Sequence, residues 1–149
     1  MNRLKELLIQ EKLEKGVEAV VQEFKKASRI NEMMNPTLAA CSEEEQTITI
    51  EFSVSEWQLN EYGTLHAGII ATAFDEAMGI FAAYLGNDKS TVSVNLSLNY
   101  IKPIPSDDSI LITAKVTSAG RRIITISAEC RLKSNGLLTN TAIGTYAIV

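Results

Sequence analysis

The sequence has very few of the side chains that bind metals or form disulfide bonds. Its 149 residues include one histidine and two cysteines, Cys41 and Cys130, which lie far apart in the chain. A disulfide framework needs more cysteines than this, and a structural zinc site takes four His or Cys ligands. The sequence therefore predicts a protein with no disulfide framework, no metal site and no cofactor.

The sequence also lacks an excess of positive charge and an uninterrupted apolar segment. The formal net charge is −4, with 46% hydrophobic and 21% charged residues, which is typical of a globular domain and argues against general nucleic-acid binding. The nearly apolar stretch over residues 67–85 is interrupted by Asp75 and Glu76, so it makes a poor membrane span. No apolar signal core stands at the N-terminus, and we expect a cytoplasmic protein.

The first part of the chain has a helical pattern. Apolar residues recur at three- and four-residue steps over residues 2–29, and Gly16 is a point at which this helix could divide. We expect the helix to pack on the domain or on a partner subunit, with a membrane-surface or regulatory role as the alternative. An Asn-Pro pair and an acidic run predict a linker loop over residues 31–45. The predicted organisation is a helical extension, residues 1–40, followed by one domain, residues 41–149.

The rest of the chain alternates between strand patterns and one long helix. A strand is predicted over residues 46–54, a loop over 55–67 and a helix from about Gly68 to Leu85. Short joints between the later strands favour an antiparallel meander with the helix across it, which is an α+β fold. Four strands are predicted after the helix, over residues 91–101, 109–120, 121–132 and 137–149.

One face of the predicted central helix carries small residues and a single acid, Asp75. Glycine, alanine and threonine at the other positions of this face let a ligand or another backbone approach closely, and we expect Gly68 and Thr72 to contact the substrate. A partly desolvated carboxylate in that setting suits general-base or nucleophilic chemistry near neutral pH. The alternative is that Asp75 caps or pairs with a structural group. Glu76 points away from this face and is expected to be structural or interfacial.

Two further features surround the small-residue face. The strand over residues 91–101 is predicted to place Ser93 on an uncharged polar face together with three other polar residues, which indicates an interface or a bound ligand. His66, Ala67 and Gly68 stand at the helix start, where unpaired N–H groups can bind an oxyanion. An acid two turns later is expected to lie near that electrophile-binding end, an arrangement that suits attack on a carbonyl.

The two segments "NEYGTLHAG-(6)-D" and "VSVNLSLNYIKP" resemble the hotdog-fold acyl-CoA thioesterases, in the branch of the phenylacetate-degradation thioesterases. The similarity runs from about residue 47 to the C-terminus. It implies a hotdog fold, an acyl-CoA substrate and hydrolysis to a free acid and coenzyme A. It also implies a homodimer or homotetramer, with each site built from two subunits.

The resemblance assigns roles to five residues of this chain. Asn60 matches a loop amide that orients the thioester or the attacking water, and His66 matches a histidine near the thioester carbonyl. Ala67 stands at the oxyanion-hole N–H, where many members have Gly, and its methyl group narrows the approach. Asp75 matches the catalytic acid, as general base or nucleophile, and Ser93 matches a serine that positions water. Glu76 has no assigned role.

Coenzyme A carries phosphates, and the basic residues that are candidates to bind them are Arg121 and Arg122 at a predicted turn, Lys102 after a strand, and Arg131 or Lys133 near the last hairpin. Of these, Arg121 and Arg122 are the preferred pair. Two other functions are compatible with the fold. A non-catalytic acyl-CoA-binding sensor would have no need of a buried acid such as Asp75. A hotdog dehydratase pairs an Asp and a His a few residues apart, whereas His66 precedes Asp75 by nine residues here. The acyl group itself is left open by the sequence.

Overall fold

A computed structural model of the chain describes residues 3–149, as a six-stranded sheet with one long helix packed on it and three shorter helices before it. A single 3-10 turn, Glu56–Gln58, precedes the long helix. The elements are α1 (Arg3–Leu7), α2 (Gln10–Ala27), α3 (Arg29–Met34), β1 (Thr37–Ser42), β2 (Thr47–Ser53), α4 (Ala67–Gly86), β3 (Thr91–Tyr100), β4 (Ser109–Ala119), β5 (Ile123–Leu132) and β6 (Leu138–Ile148).

All neighbouring strands are antiparallel, in the order β1-β2-β4-β5-β6-β3. The turn between β5 and β6 contains Asn135-Gly136, and Gly136 has a φ of +74°, which explains why glycine stands there. The strand that follows α4 in sequence, β3, lies at one edge of the sheet. Its only strand partner within residues 3–149 is β6. The predicted antiparallel sheet around a central helix is confirmed.

The core lies between α4 and the sheet. Phe74, Met78 and Phe81 are fully buried on α4, and they pack against inward-facing residues of β2, β4 and β5 such as Ile50 and Ile112. Burying a side chain of this size stabilises the fold by about 1.5–3 kcal/mol. By length and composition α4 could cross a bilayer, but most of its residues are buried as the core helix of this fold.

The N-terminal extension packs on α4. This agrees with the expectation that the extension packs on the domain. Its helical break falls between α1 and α2, and not at Gly16, which lies within α2. The reason is packing, because a Cβ on Gly16 would lie only 2.3 Å from Cε2 of Tyr84 on α4. The Tyr84 hydroxyl also donates a hydrogen bond to the carbonyl of Leu7 at 2.5 Å. A glycine that the sequence suggested as a helix break is therefore a contact point.

The prediction of a linker loop over residues 31–45 is wrong. This segment contains most of α3 and all of β1, so the sheet begins before residue 41. The strand was missed because its exposed and half-buried residues do not alternate. Gln10 also ties α2 to the turn after β1, since its side chain accepts from the Glu43 N–H at 2.6 Å and donates to the Cys41 carbonyl at 3.0 Å.

The predicted face of Ser93 is wrong for a local reason. The β3–β6 register shifts between Ser93 and Asn95, which is a β-bulge at Val94. Ser93 consequently lies opposite Tyr146 on the helix side of the sheet, while Asn95 and the later polar residues of β3 lie on the outer side. A bulge that redirects one side chain is common next to functional sites.

Candidate active site

A half-buried carboxylate is held between α4 and two strands. The Ser93 hydroxyl on β3 donates to Oδ1 of Asp75 at 2.8 Å. The Tyr146 hydroxyl on β6 donates to the same oxygen at 3.0 Å. We call Asp75, Ser93 and Tyr146 the carboxylate half-site. Ser93 and Asp75 were both predicted from sequence, whereas Tyr146 was not.

The two oxygens of the Asp75 carboxylate have different surroundings. Oδ1 accepts two O–H donors, but no donor from any described residue reaches Oδ2. A carboxylate held at one oxygen has its other oxygen in a defined position, where it can accept a proton from water or attack an electrophilic carbon. This arrangement fits a general base or a nucleophile.

Glu76, the next residue on α4, is a buried acid without a partner. Its side chain is 4% exposed, and in the described part of the chain neither carboxyl oxygen has a hydrogen-bond partner. Burial, and secondarily the negative charge of Asp75, raise the pKa of Glu76 to about 8. Glu76 is therefore mostly protonated at neutral pH and adds little charge beside Asp75. This agrees with the expectation that it is structural or interfacial.

The start of α4 is capped by the histidine. Nδ1 of His66 accepts the Gly68 N–H at 2.9 Å, so this N–H is already satisfied. The Ala67 N–H has no acceptor anywhere in residues 3–149 and lies at an exposed helix end. Of the two N–H groups that the sequence assigned to an oxyanion hole, only that of Ala67 is free to bind one.

The loop before α4 is held by Asn60. Its Oδ1 accepts from the N–H groups of Tyr62 at 3.0 Å and Thr64 at 3.1 Å, and its Nδ2 donates to Thr64 Oγ1 at 3.0 Å. Gly63, inside this loop, has a φ of +75°. The side chain of Asn60 thus has a structural task here, and its predicted contact with a thioester stays a prediction.

Asn60 and Ala67 line one cavity of about 350 Å³, together with Tyr100 and Lys102. The Tyr100 hydroxyl donates to the Ala67 carbonyl at 2.9 Å, which fixes the end of β3 against the helix start. We call Asn60, His66 and Ala67 the helix-start half-site. Lys102 supplies a positive charge at this cavity.

The two half-sites do not meet within one protomer. Asp75 lies eight positions after Ala67 in the helix, and at a rise of 1.5 Å per residue the two are about 12 Å apart along the axis. A single thioester carbonyl cannot contact both. The expectation that the helix start and the acid lie close together is therefore wrong for an isolated chain.

None of the remaining predicted substrate-binding residues forms a hydrogen bond with Asp75 within the described residues. Thr72 donates its hydroxyl to the Gly68 carbonyl at 2.9 Å, within α4. Arg121 and Arg122 are exposed in the β4–β5 turn, and Arg121 lines a separate groove beside α1. The structure shows no ion pair for either arginine within the described residues.

The two cysteines are distant in sequence from both half-sites, and neither thiol is ionised at neutral pH. Burial raises the pKa of the Cys41 thiol to about 11, and burial also raises that of Cys130 to about 11. Both are therefore thiols, not thiolates, at neutral pH. Across residues 3–149, no three His, Cys, Asp or Glu side chains are grouped in a way that could hold a metal ion.

Comparison with known protein families matches the part of the chain that contains α4 to one family. The sequence profile of the thioesterase superfamily matches residues 62–139, just over half of the chain. A Caenorhabditis elegans protein, F42H10.6, is 34% identical over 92 residues, which are 62% of this chain and 54% of that protein. Human acyl-coenzyme A thioesterase 13 is 30% identical over 91 residues, which are 61% of this chain and 65% of that protein. The chain thus spans about half to two thirds of the length of these relatives.

Solved structures share the fold. Mouse thioesterase superfamily member 2 superposes with a TM-score of 0.77 at 22% identity, covering 89% of this chain and 97% of that one. The Escherichia coli PaaI protein of the phenylacetic acid degradation operon gives a TM-score of 0.75 at 12% identity, covering 89% and 96%. Streptococcus mutans smu.793, solved with acetyl CoA, gives a TM-score of 0.68 at 21% identity, and the superposition covers 77% of this chain and 89% of that one. The predicted hotdog fold is confirmed.

Proposed function

The chain belongs to the thioesterase superfamily, and from this premise we propose that it hydrolyses acyl-CoA thioesters to a free acid and coenzyme A. The observation that carries the proposal is the Asp75 carboxylate, held at Oδ1 by Ser93 and Tyr146 and open at Oδ2. A human relative named as an acyl-CoA thioesterase and a structural neighbour bound to acetyl CoA support the substrate class.

The proposed reaction uses two groups of the protein. Oδ2 of Asp75 either takes a proton from a water that attacks the thioester carbon or attacks that carbon itself. The carbonyl oxygen becomes an oxyanion, which the N–H of Ala67 stabilises with the positive end of α4 behind it. The C–S bond then breaks. In the general-base route the coenzyme A thiolate takes up the proton that Asp75 removed from water. In the nucleophilic route the thiolate is protonated from solvent, and water hydrolyses the acyl–aspartyl anhydride, which restores the Asp75 carboxylate. In both routes water supplies the new oxygen of the free acid.

The proposed site needs two copies of the chain, because the half-sites of one copy are too far apart. The exposed edge of β3 supports this. It carries no charged residue from Thr91 to Tyr100 and exposes Val92 and Val94, at 48% and 59%. A long uncharged edge strand is a template for pairing with another chain unless something protects it. We therefore expect a homodimer, alone or paired into a homotetramer.

Pairing two β3 strands would bring the half-sites together. If two copies pair antiparallel about the strand midpoint, the Ser93 end of one lies beside the Tyr100 end of the other. Within each chain Ser93 contacts Asp75 and Tyr100 contacts Ala67. The helix start of one copy would then lie next to the carboxylate of its mate, and each dimer would have two sites.

The phosphates of coenzyme A need positive charge, and three basic residues are candidates. Lys102 lines the cavity of the helix-start half-site, beside Ala67. Arg121 and Arg122 lie at the β4–β5 turn, whose Arg122 carbonyl accepts the N–H of Ile148 near the end of β6. Lys102 has the stronger support, because it shares a cavity with the proposed oxyanion donor.

The test is hydrolysis of acetyl-, hexanoyl-, palmitoyl-, phenylacetyl- and benzoyl-CoA, followed by release of free thiol. We expect turnover by the wild type, and the preferred member of the panel would identify the acyl class. Asp75→Asn should lower kcat by at least about 10²-fold while the protein stays folded and associated. Glu76→Gln is the matched control, one residue along the same helix, and should keep most of the activity at neutral pH.

Two results would count against this function. Tight binding of the panel without turnover by the wild type would favour a non-catalytic acyl-CoA sensor. An Asp75→Asn protein that unfolds or dissociates would instead assign this carboxylate to structure.

A further inference from the structure

We propose that Tyr146 is a positioning residue for the Asp75 carboxylate, which it holds in the one orientation that directs Oδ2 at the substrate. This inference rests on the proposed function, because it names a residue that sets up the same reaction. The evidence is the geometry of the Tyr146 hydroxyl, the packing that holds its ring and its difference from Ser93.

The hydroxyl of Tyr146 lies within reach of two acceptors on the same residue. It is 3.0 Å from Oδ1 of Asp75 and 3.3 Å from the Asp75 backbone carbonyl. A phenol has one proton, and a carboxylate oxygen at the shorter distance is the stronger acceptor. The proton therefore goes to Oδ1, and the nearby carbonyl keeps the hydroxyl over the start of the Asp75 side chain.

The missing side chain of Gly144 makes room for the Tyr146 ring. A Cβ on Gly144, two residues earlier in β6, would lie 2.9 Å from Cε2 of the ring and 3.0 Å from Cε of Met78. Gly79, one helical turn after Asp75, packs on the other side of the ring, where a Cβ would lie 3.8 Å from Cε1, an ordinary contact distance. The ring is 2% exposed and so is enclosed between strand and helix. Its hydroxyl is held in place by packing and not only by its hydrogen bond.

The same surroundings keep the hydroxyl protonated. Burial, and then the negative charge of Asp75, raise the pKa of Tyr146 well above its usual value. The group stays an O–H donor throughout the pH range in which an enzyme of this class would work. It serves as a fixed support for the carboxylate and takes no part in proton transfer.

Ser93 and Tyr146 support Oδ1 in different ways. Ser93 is exposed in the single chain, and in the proposed dimer it would face the substrate site, where water can replace a lost hydroxyl. Water has far less access to the enclosed Tyr146.

The test is Tyr146→Phe, which removes the hydroxyl and keeps the ring. Hydrogen bonds to charged groups are strong enough that we expect kcat to fall roughly 10- to 100-fold with KM nearly unchanged. In an Asp75→Asn background the same change should have little further effect.

Tyr84→Phe is the matched control. Tyr84 is also buried against α4 and also loses one hydrogen bond, to the Leu7 carbonyl, but it lies away from Asp75. We expect Tyr84→Phe to lower the melting temperature and to leave kcat unchanged. Ser93→Ala should lower kcat less than Tyr146→Phe does.

A second readout needs no substrate. At one fixed neutral pH, the ¹³Cγ chemical shift of Asp75, identified by its loss in Asp75→Asn, should differ between Tyr146→Phe and the wild type and should be the same in Tyr84→Phe and the wild type. An unchanged chemical shift in a folded Tyr146→Phe protein overturns the proposal, and so does an unchanged kcat where the wild type is active. If the wild type hydrolyses no acyl-CoA but Tyr146→Phe still changes this chemical shift, the proposed function alone is overturned.

Discussion

The helix-start half-site and the carboxylate half-site are built on one helix by opposite means. At the helix start the contacts made by the side chains of the half-site are local, since His66 caps Gly68 two residues on and Asn60 holds Thr64 four residues on. At the carboxylate the donors come from far along the chain, because Ser93 and Tyr146 are 18 and 71 residues from Asp75.

This difference determines which substitutions each half-site tolerates. The helix start depends on a backbone N–H and on a short loop, and most side-chain changes elsewhere leave these in place. The carboxylate depends on the register of β3 and β6, on a bulge and on a buried ring. The first half-site is therefore sensitive to backbone chemistry and the second to packing across the sheet.

The largest effect is expected at the backbone of the helix start, from Ala67→Pro. Proline lacks the N–H but suits the first position of a helix, and His66 already has the extended backbone, φ −61° and ψ 137°, that a following proline requires. We expect kcat to fall by about 10²- to 10³-fold with the fold retained. Thiol release and circular dichroism measure the two properties.

Ala67→Gly is the matched control, because it keeps the N–H and removes only the methyl group. It should retain activity and accept larger acyl groups at least as well. An Ala67→Pro protein that is folded and fully active would remove the helix start from the mechanism.

Stability should depend on pH through Glu76, the buried acid that follows Asp75 on α4. Its pKa is raised to about 8 in the folded protein, whereas the unfolded chain releases this proton at the ordinary value for glutamate, so the folded state binds more protons between these values. The free energy of unfolding should therefore fall as pH rises through this window, by at most about 1.4 kcal/mol per pH unit. Urea unfolding at several pH values measures the slope.

Glu76→Gln should remove this part of the slope, and its protein should be the more stable one above pH 8. Glu23→Gln, an exposed glutamate on α2, is the control and should leave the slope as it is. A Glu76→Gln protein with the wild-type slope would show that Glu76 is ionised in the folded state.

The smallest effect is expected from the cap of α4. His66→Ala loses the acceptor for the Gly68 N–H and should lower the free energy of unfolding by about 1 kcal/mol, the usual value of an N-cap. His66→Asn places another good capping acceptor there and should recover most of that loss. Equal destabilisation by both substitutions would mean that the imidazole acts through other contacts.

The same division between local and distant contacts explains what could be predicted from the sequence. Helix periodicity and turn residues were sufficient for α4, for the later strands and for Asp75 as the candidate acid. The strand over residues 37–42 was missed although its partner β2 is its neighbour in sequence, because its exposed and half-buried residues do not alternate. Tyr146 was missed because its partner is distant, and no pattern near residue 146 indicates a carboxylate on α4.

Two errors came from short-range reasoning that tertiary structure overrode. Gly16 suggests a helix break, yet it continues α2 because Tyr84 occupies the space of its absent side chain. Strict alternation along β3 places Ser93 with Asn95, but the bulge between them turns Ser93 toward Asp75. In both cases the sequence pattern is present, but a contact with a residue distant in sequence determines the structure.

The measurement that tests the central claim most directly is a mixture of Ala67→Pro and Asp75→Asn proteins, each inactive alone. If each site takes the helix start of one copy and the carboxylate of the other, mixed dimers contain one intact site. After subunit exchange, confirmed by native mass spectrometry, an equal mixture should recover about one quarter of wild-type activity. Mixed dimers that form and stay inactive would contradict a site shared between two copies of the chain.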